Sequence, residues 1–357
     1  MSLPPGSVAE GKLPGDGIAE PLTLSLIIPT YNARALLADC LQSIFRNPPS
    51  EPYEVLVVDD ASADGTSEMV RARFPEVRLL RNNVNRHYAR SNNRAIAQSR
   101  GQYIYLLNND TIVMPQAIDR MLAFLREHPE AGAVGSRLLN GDGTVQWSVK
   151  SLPNPGSALF GARSIITRMF PNNRYSRKHL LHLDRDPNQP FIAGYVSSAS
   201  IMIPRQVVEQ VGELDRRLSY HVDADYCKRI ANAGYSCYYL PTATVIHFDH
   251  KGGTMVSVTR RFRSLFEFHV GSYIFYRKHI QQSLWTPMQI VILVGIFSRF
   301  LVSLVAQALA ELRYITVALA RKTVGLRSRE PTGTTGDLPI WRAEPLSAPP
   351  AKPTADG

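Results

Sequence analysis

Short apolar runs alternate with segments of helical periodicity in the first third of the chain, and this alternation constrains the fold more than any other feature. The runs are too short for buried helices and are bounded by turn-forming residues. They are Leu24–Ile28, Glu54–Val58, Val77–Leu80 and Tyr103–Leu107. The segments between them have the spacing of helices, at Arg34–Phe45, Thr66–Phe74 and Ala89–Ser99. The pattern predicts an α/β fold with a Rossmann-like, mostly parallel central sheet and helices on both faces.

Polar clusters follow each of these strands directly. They are Pro29–Asn32, Asp59–Ser62, Arg81–Asn83 and Asn108–Asp110. One such cluster is typical of a turn or a helix cap. In parallel sheets, however, ligands bind beyond the carboxyl ends of the strands. Four clusters at successive strand ends therefore predict one polar site.

The second part of the chain is less regular. We expect a helix near 115–127, a strand near 133–136, a hairpin over 138–149, a strand over 191–203 and a helix over 222–233. The hairpin is centred on the turn-rich sequence Asn140-Gly141-Asp142-Gly143. Residues 150–190 are polar and aperiodic, which favours a loop or mobile lid.

Composition limits the class of protein. The chain has 357 residues, of which 44% are hydrophobic, so it can bury a sizeable core. The net charge of +10 favours anionic partners such as nucleotides or phospholipid headgroups. Nucleic acid is not expected, because no aromatic-basic recognition motif accompanies the charge. Three cysteines without metal-ligand spacing indicate buried thiols in a reducing compartment; they are Cys40, Cys227 and Cys237.

The two ends and the apolar segment 285–310 differ in composition from the rest. Residues 1–22 are expected to be a disordered leader without the apolar core of a secretory signal, and residues 327–357 a solvated tail. The segment 285–310 is long enough to span a bilayer. Arg299 interrupts it, which favours helices lying on the membrane surface over a single span. A helix buried against the rest of the protein or a partner subunit is the other alternative.

Several motifs together resemble family 2 glycosyltransferases with the GT-A fold. They are Leu24–Asn32, Val57–Thr66 and Leu106–Thr111. Later motifs resemble the rhamnosyltransferase-like branch of that family; they are Val211–Asp215, Asp223–Arg229, Ala233–Tyr235 and Val245–His247. The resemblance covers about residues 22–280. It implies a catalytic domain over 23–255, with a nucleotide-sugar half at 23–136 and an acceptor half at 137–255, followed by membrane-associated C-terminal helices within 256–326.

The resemblance implies inverting transfer of a sugar from a nucleoside diphosphate to an acceptor hydroxyl. Asp110 would bind a divalent metal, Mg²⁺ or Mn²⁺, with His247 as second ligand and His250 as its substitute. Asp223 would be the catalytic base, with Asp225 in reserve. The residues expected to bind substrate are Thr30, Tyr31, Asn32, Asp59, Asp60, Arg81, Asn108, Asn109, Arg90, Arg94 and Asp225.

Structural alternatives remain for some of these residues. Asp223 could cap the helix that follows, and His247 could be an ordinary histidine at a strand end. Asp59 could orient its loop while Asp60 meets the ribose, or the reverse. Arg90 and Arg94 share a helical face and would meet either the diphosphate or solvent.

Some positions depart from the family pattern. Many relatives have Asp-x-Asp where this chain has Asn108-Asn109-Asp110, and Glu where it has Val222. The glycine-rich turn before the third helix is replaced by Asn85-Arg86-His87. The Asn108-Asn109 pair motivates a second hypothesis, a catalytically silent scaffold that binds a nucleotide sugar.

The expected partners follow from the family branch and the apolar segment. Rhamnose is the favoured sugar, with galactose, galactofuranose and mannose left open. The expected acceptor is a lipid-linked glycan on a polyprenyl diphosphate, or a cell-surface polysaccharide, at the cytoplasmic face of the plasma membrane. The sequence leaves the oligomeric state open.

Overall fold

A nine-stranded sheet forms the centre of the protein. The computed structural model describes residues 22–146, 148–153, 169–170, 173–174, 185–248, 258–280 and 287–323. The strands are β1 Leu24–Thr30, β2 Tyr53–Asp59, β3 Arg78–Arg81, β4 Tyr103–Leu107, β5 Thr111–Val113, β6 Ala131–Leu139, β7 Val149–Lys150, β8 Phe191–Ala193, β9 Tyr195–Val196, β10 Ser200–Pro204 and β11 Ser236–His247. The helices are α1 Arg34–Arg46, α2 Thr66–Arg73, α3 His87–Ile96, α4 Ala117–Glu127, α5 Arg205–Val211, α6 Val222–Asn232, α7 Val258–His279 and α8 Pro287–Thr323.

The parallel part of the sheet has the strand order β3-β2-β1-β4 and confirms the fold expected from the sequence. Alternate residues of β1 enter two different hydrophobic clusters. Leu26 and Ile28 pack on the side of α1 and α4, whereas Ile27 packs on the side of α3 and α6. Helices therefore cover both faces, because successive side chains of a strand point to opposite sides.

The other part of the sheet mixes strand directions. β10 lies antiparallel between β4 and β6, and β11 runs parallel to β6 but antiparallel to β5 and β8. The expectation of one strand over 191–203 is wrong, since this segment forms β8, β9 and β10. A β-carbon on Gly194 would lie 2.2 Å from the Leu152 amide nitrogen, so the backbone of residues 151–152 packs directly against this glycine. β9 accordingly pairs with β7 in a separate two-stranded sheet.

The turn after β6 matches the hairpin predicted there. Gly143 donates a 2.9 Å hydrogen bond to the Asn140 carbonyl, and an antiparallel bridge joins Leu139 to Val145. Most of the expected loop over 150–190 lies outside the described residues. The same is true of residues 1–21, the tail 327–357 and His250.

The C-terminal helices α7 and α8 pack against each other. Arg261 donates a 2.8 Å hydrogen bond to the Glu311 carboxylate, and the Phe266 and Phe300 rings lie 6.2 Å apart. Among the described helices, one stretch is long and apolar enough to cross a membrane, Ile292–Arg313, and no part of its most apolar window is buried. The alternative in which this segment is buried against the rest of the chain is therefore wrong. Arg299 lies against α7, with its guanidinium 5.4 Å from the centre of the Phe268 ring.

Candidate active site

Asp110 and His247 lie together at one edge of the sheet. Asp110 directly precedes β5, and the antiparallel register of β5 with β11 places His247 opposite Thr111. The His247 Nε2 atom is 3.3 Å from Asp110 Oδ1, and both side chains are buried. The structure thus brings together two residues that are 137 positions apart in the sequence, as the metal prediction requires.

These two atoms face each other as acceptors. His247 Nδ1 lies 2.7 Å from Gln146 Oε1, an acceptor, so Nδ1 carries a proton, and in the neutral ring Nε2 presents its lone pair to Asp110. In the described part of the chain, Asp110 Oδ1 is buried without a hydrogen-bond partner. A carboxylate oxygen without a hydrogen-bond partner and an imidazole lone pair can both donate an electron pair to a divalent cation. The two side chains together therefore suit such an ion.

The two ligands do not make a complete coordination shell. No group of three or more His, Cys, Asp or Glu side chains able to hold a metal occurs among the described residues. Mg²⁺ and Mn²⁺ are commonly held by one or two protein ligands together with water and substrate phosphate oxygens. Asn108 is close as well, since its Nδ2 atom lies 3.4 Å from His247 Nε2. The residues therefore fit a divalent ion that shares its shell with substrate.

The loops after β1 and β2 are held together by polar side chains. Asn109 Nδ2 donates a 2.9 Å hydrogen bond to the buried Thr30 hydroxyl. Asn32 accepts from the Ala63 amide at 2.8 Å and donates its own amide to Ser62 Oγ at 2.9 Å. Thr30, Asn32 and Asn109 thus fix the shape of this edge, while Tyr31 beside them is half-buried. Their contacts with substrate stay predictions.

The carboxylates of Asp59 and Asp60 both accept hydrogen bonds from other groups of the protein. Asp59 is fully buried and accepts hydrogen bonds from the Ser62 amide and the Ser67 hydroxyl, so it orients its own loop. Asp60 accepts from the Asn82 side chain at 2.7 Å. It also accepts from the amides of Arg86 and His87 at 2.8 Å each. This differs from the ribose contact that the family resemblance implies for Asp60.

The Asp60 contacts explain how a residue other than glycine can occupy the turn before α3. His87 has a φ of 65°, a left-handed conformation that is costly for a residue other than glycine. The Asp60 carboxylate stabilises that conformation, because it accepts from two consecutive amides at the start of the helix.

The arginines expected near the diphosphate have different surroundings. Arg94 donates to the Arg81 carbonyl at 2.7 Å and to Asn82 Oδ1 at 2.5 Å, so it fastens α3 to the end of β3. Its contact with diphosphate stays a prediction. Arg81 is exposed and lies 3.3 Å from the Ser62 carbonyl. Arg90 is exposed on α3, and its contact with diphosphate stays a prediction.

Asp223 is the second residue of α6, and its carboxylate does not occupy the cap position. The cap residue is His221, and Asp223 Oδ1 accepts a 2.9 Å hydrogen bond from the Ala224 amide inside the first turn. Burial raises the pKa of Asp223, while the Ala224 amide, the Lys150 ammonium and the Ser198 amide act in the opposite direction. A raised carboxyl pKa makes the group a better proton acceptor.

The segment Ser197–Ala199 connects Asp223 to the part of the site that contains Asp110. The Ala199 carbonyl accepts a 3.0 Å hydrogen bond from the Asn108 amide, and the neighbouring Ser198 amide acts on the Asp223 carboxylate. The Tyr88 hydroxyl donates to the Ser198 carbonyl at 3.0 Å and fixes the segment from α3. One short backbone segment thus borders both the Asn108–Asp110 motif and Asp223.

Asp225 is not available as a base or as a substrate ligand. It is fully buried, and its carboxylate meets Arg229 at 3.0 Å, Lys278 at 2.7 Å and His279 at 2.7 Å. Lys278 also contacts Asp215 at 3.0 Å, and Arg217 and Lys278 lower the pKa of that carboxyl. The expectation for Asp225 is corrected, because this cluster ties α6 to α7.

Helix α7 also supports the residue that begins α6. His221 has a φ of 65°, its Nε2 lies 3.3 Å from Ser272 Oγ, and its ring centre is 4.8 Å from that of Phe268. Burial, together with the charges of Arg299 and Lys150, lowers the pKa of His221 to about 4, so the ring is neutral at physiological pH. The C-terminal helices therefore contact the segment that holds the candidate base.

Sequence reasoning missed the residues that support the site from a distance. Gln146 contacts His247, Ser198 lies beside Asp223, and Lys278 and His279 bind Asp225. The turn-rich sequence around Asn140 was the only signal near Gln146. Nothing in local spacing links Lys278 or His279 to a carboxylate more than 50 positions earlier.

Comparison with known proteins identifies the class of this protein. The profile of glycosyl transferase family 2 matches residues 25–212, about half of the chain, so the chain belongs to that family. GalNAc-T7, solved with UDP, GalNAc and Mn²⁺, shares the fold with a TM-score of 0.50 and 14% sequence identity, over 66% of this chain and 45% of that one. The fold is the GT-A fold expected from the sequence.

The relatives make the assignment more specific. The N-acetylglucosaminyl-diphospho-decaprenol L-rhamnosyltransferase of Mycobacterium tuberculosis (strain ATCC 25618 / H37Rv) is 29% identical over 208 residues, which cover 55% of this chain and 66% of that protein. Glycosyltransferase AglE of Haloferax volcanii is 26% identical over 60% of this chain and 62% of its own length. This chain thus spans slightly less than two thirds of each relative, and within the family it is similar to a rhamnosyltransferase.

The Asp225 cluster generates a prediction about stability. Replacing the buried carboxylate by Asp225→Asn leaves Arg229 and Lys278 without this buried counter-charge and His279 without its carboxylate partner. Breaking a buried ion pair in this way costs about 3–5 kcal/mol of the free energy of unfolding. Chemical denaturation of the purified protein measures the loss. Glu267→Gln, which removes the i,i+4 pair with the exposed Arg263, is the matched control and should change stability by less than about 1 kcal/mol. Equal effects of the two variants would contradict the structural role of Asp225.

Proposed function

We propose that this protein is an inverting glycosyltransferase that moves a sugar from a nucleoside-diphosphate donor to a hydroxyl of a lipid-linked glycan. The observation that carries the proposal is the buried pair of opposed acceptors, Asp110 Oδ1 and His247 Nε2, at the edge of a glycosyltransferase sheet. Rhamnose is the proposed sugar. Similarity to the mycobacterial N-acetylglucosaminyl-diphospho-decaprenol L-rhamnosyltransferase supports both rhamnose and this class of acceptor.

Asp110 and His247 would hold the Mg²⁺ or Mn²⁺ ion of this reaction. When bound, such an ion neutralises the negative charge that develops on the leaving diphosphate. The protein contributes two ligands whose lone pairs already point at each other, so little rearrangement is needed. Arg90, exposed on α3, is the proposed additional contact for phosphate oxygens.

Asp223 is the proposed base. Its carboxylate takes the proton of the acceptor hydroxyl while the hydroxyl oxygen forms a bond to the anomeric carbon. The bond from that carbon to the diphosphate oxygen breaks on the opposite face, and the configuration inverts. The raised pKa supports this role, because a more basic carboxylate accepts the proton more readily.

The exposed apolar side of α8 is the proposed membrane contact. Large apolar side chains on this helix are more than half exposed; among them are Val294, Phe297, Val302, Val305, Leu309 and Leu312. Arg299 faces α7, so its charge does not lie on the apolar side. We propose that α8 inserts into the cytoplasmic face of the plasma membrane, where a lipid-linked acceptor is confined to two dimensions.

The experiment that tests the function is a panel of nucleotide sugars. The full-length protein in membranes is incubated with dTDP-, UDP- and GDP-sugars and a polyprenyl-diphosphate-linked saccharide, with and without a divalent-ion chelator. We expect transfer from dTDP-rhamnose that the chelator abolishes and Mn²⁺ or Mg²⁺ restores. Binding of a donor without transfer to any acceptor or water would favour the silent scaffold that Asn108 and Asn109 suggest.

The Asp223 assignment predicts both a rate and a pH dependence. Asp223→Asn should lower kcat by about 10²–10⁴-fold with donor binding unchanged, because only the proton acceptor is lost. In the wild type, activity requires the ionised carboxylate and falls as the pH drops through its pKa. Since that pKa is raised, the acid limb of the pH–rate profile should lie above the usual range for aspartate, near 4. Asp119→Asn, in α4, where the carboxylate accepts hydrogen bonds from Ser50, is the control and should leave the profile unchanged.

The membrane proposal predicts the effect of charge on α8. Phe297→Glu combined with Val305→Glu should release the protein from vesicles of phosphatidylglycerol and phosphatidylethanolamine in a flotation assay. Each charge in the apolar layer costs about 2.5–3.5 kcal/mol at its centre. Gln307→Glu places the same charge on the side of α8 that carries Glu311, and it should leave flotation intact. Undiminished flotation of the double variant would show that α8 does not insert.

A further inference from the structure

A chain of hydrogen bonds runs through the turn after β6 and ends at His247. It begins at Asp142, whose carboxylate accepts a 2.6 Å hydrogen bond from the Thr144 hydroxyl. The bonds from Thr144 lower the pKa of Asp142, so this group is ionised and can only accept. The hydroxyl proton is therefore directed at Asp142, and Thr144 Oγ1 is left to accept from Asn140 Nδ2 at 2.9 Å.

Because the Thr144 hydroxyl donates to Asp142, the orientations of the side-chain amides of Asn140 and Gln146 are also determined. With its Nδ2 on Thr144, Asn140 presents Oδ1 to Gln146 Nε2 at 3.1 Å. Gln146 consequently presents Oε1 to His247 Nδ1 at 2.7 Å. An acceptor at that position requires the proton of the imidazole on Nδ1. In the neutral ring, the lone pair of Nε2 then faces Asp110 Oδ1, which is 3.3 Å away.

The backbone holds this turn in a fixed position relative to His247. The backbone amide of Gln146 donates to the Leu138 carbonyl at 2.8 Å, and the backbone amide of Asn140 donates to the Thr144 carbonyl at 2.8 Å. The turn also packs against the residue after His247. A β-carbon on Gly141 would lie 2.9 Å from the Phe248 ring, which leaves no room for a side chain there.

We propose that Gln146 is a positioning residue that fixes the Nδ1–H tautomer of His247 and so directs the Nε2 lone pair toward the cation. Asn140, Thr144 and Asp142 set the orientation of the Gln146 amide. The part of this inference that concerns the cation rests on the proposed function, whereas the tautomer does not. Residues outside the metal shell that orient a histidine ligand typically change metal affinity by about 10–100-fold.

The first measurement is the tautomer itself, without metal. Nitrogen-15 spectra of the full-length protein labelled at histidine distinguish Nδ1–H from Nε2–H, and His247→Asn identifies the His247 signal. We expect Nδ1–H in the wild type and loss of that preference in Gln146→Leu. Thr144→Val should weaken the preference, and Thr144→Ser, which keeps the hydroxyl, should retain it. Thr144 is exposed, so these two variants test the hydrogen-bond chain with little effect on folding.

The second measurement is the affinity for Mn²⁺ alone, followed by electron paramagnetic resonance. Gln146→Leu should bind Mn²⁺ about 10–100-fold more weakly than the wild type, with an unchanged thermal transition as evidence of folding. An unaltered tautomer in Gln146→Leu would overturn the inference, as would unaltered Mn²⁺ affinity. If the wild type bound no Mn²⁺ while the tautomer still depended on Gln146, the metal-dependent function would fail and the positioning role would stand.

Discussion

The pairing of β11 with β5 and β6 is the interaction on which the candidate site depends. β11 is 12 residues long, and its last part lies antiparallel to β5, so that His247 faces Thr111 beside Asp110. The register of β11 with β6 shifts between Leu240 and Thr244. Because side chains alternate along a strand, a shift of one residue would turn the imidazole to the opposite face. The pairing of these strands therefore decides whether Asp110 and His247 meet at all.

Strained backbone occurs around this edge of the sheet and is stabilised by side chains. Asn32, Ala61, His87 and His221 all have positive φ angles although none is glycine. Such conformations persist only where the surroundings fix them. Asp60 accepts from the amide of His87, and α7 packs against His221. The buried carboxylate of Asp60 thus serves to hold the strained backbone at the start of α3.

The C-terminal helices connect the apolar surface to the catalytic side of the molecule. α8 exposes its apolar side and packs against α7, and α7 supplies Lys278 and His279 to the buried Asp225 in α6. Asp223 lies in the same helix, two residues earlier. Packed helices and a buried ion cluster therefore link α8 to the helix that carries the proposed base.

The sequence by itself determined the parallel half of the sheet, the polar clusters after its strands and the apolar C-terminal segment. Each of these depends on local periodicity or on residues adjacent in the chain, which a single sequence displays directly. The family motifs in the sequence also indicated Asp110, Asp223 and His247 as candidate site residues. Only the tertiary structure decided that 191–203 divides into three strands, that Arg94 fastens α3 to β3, that Asp225 is an internal ion partner, and that Gln146 supports His247. These outcomes depend on which distant segments meet, and the energy of such contacts leaves no local pattern in the sequence.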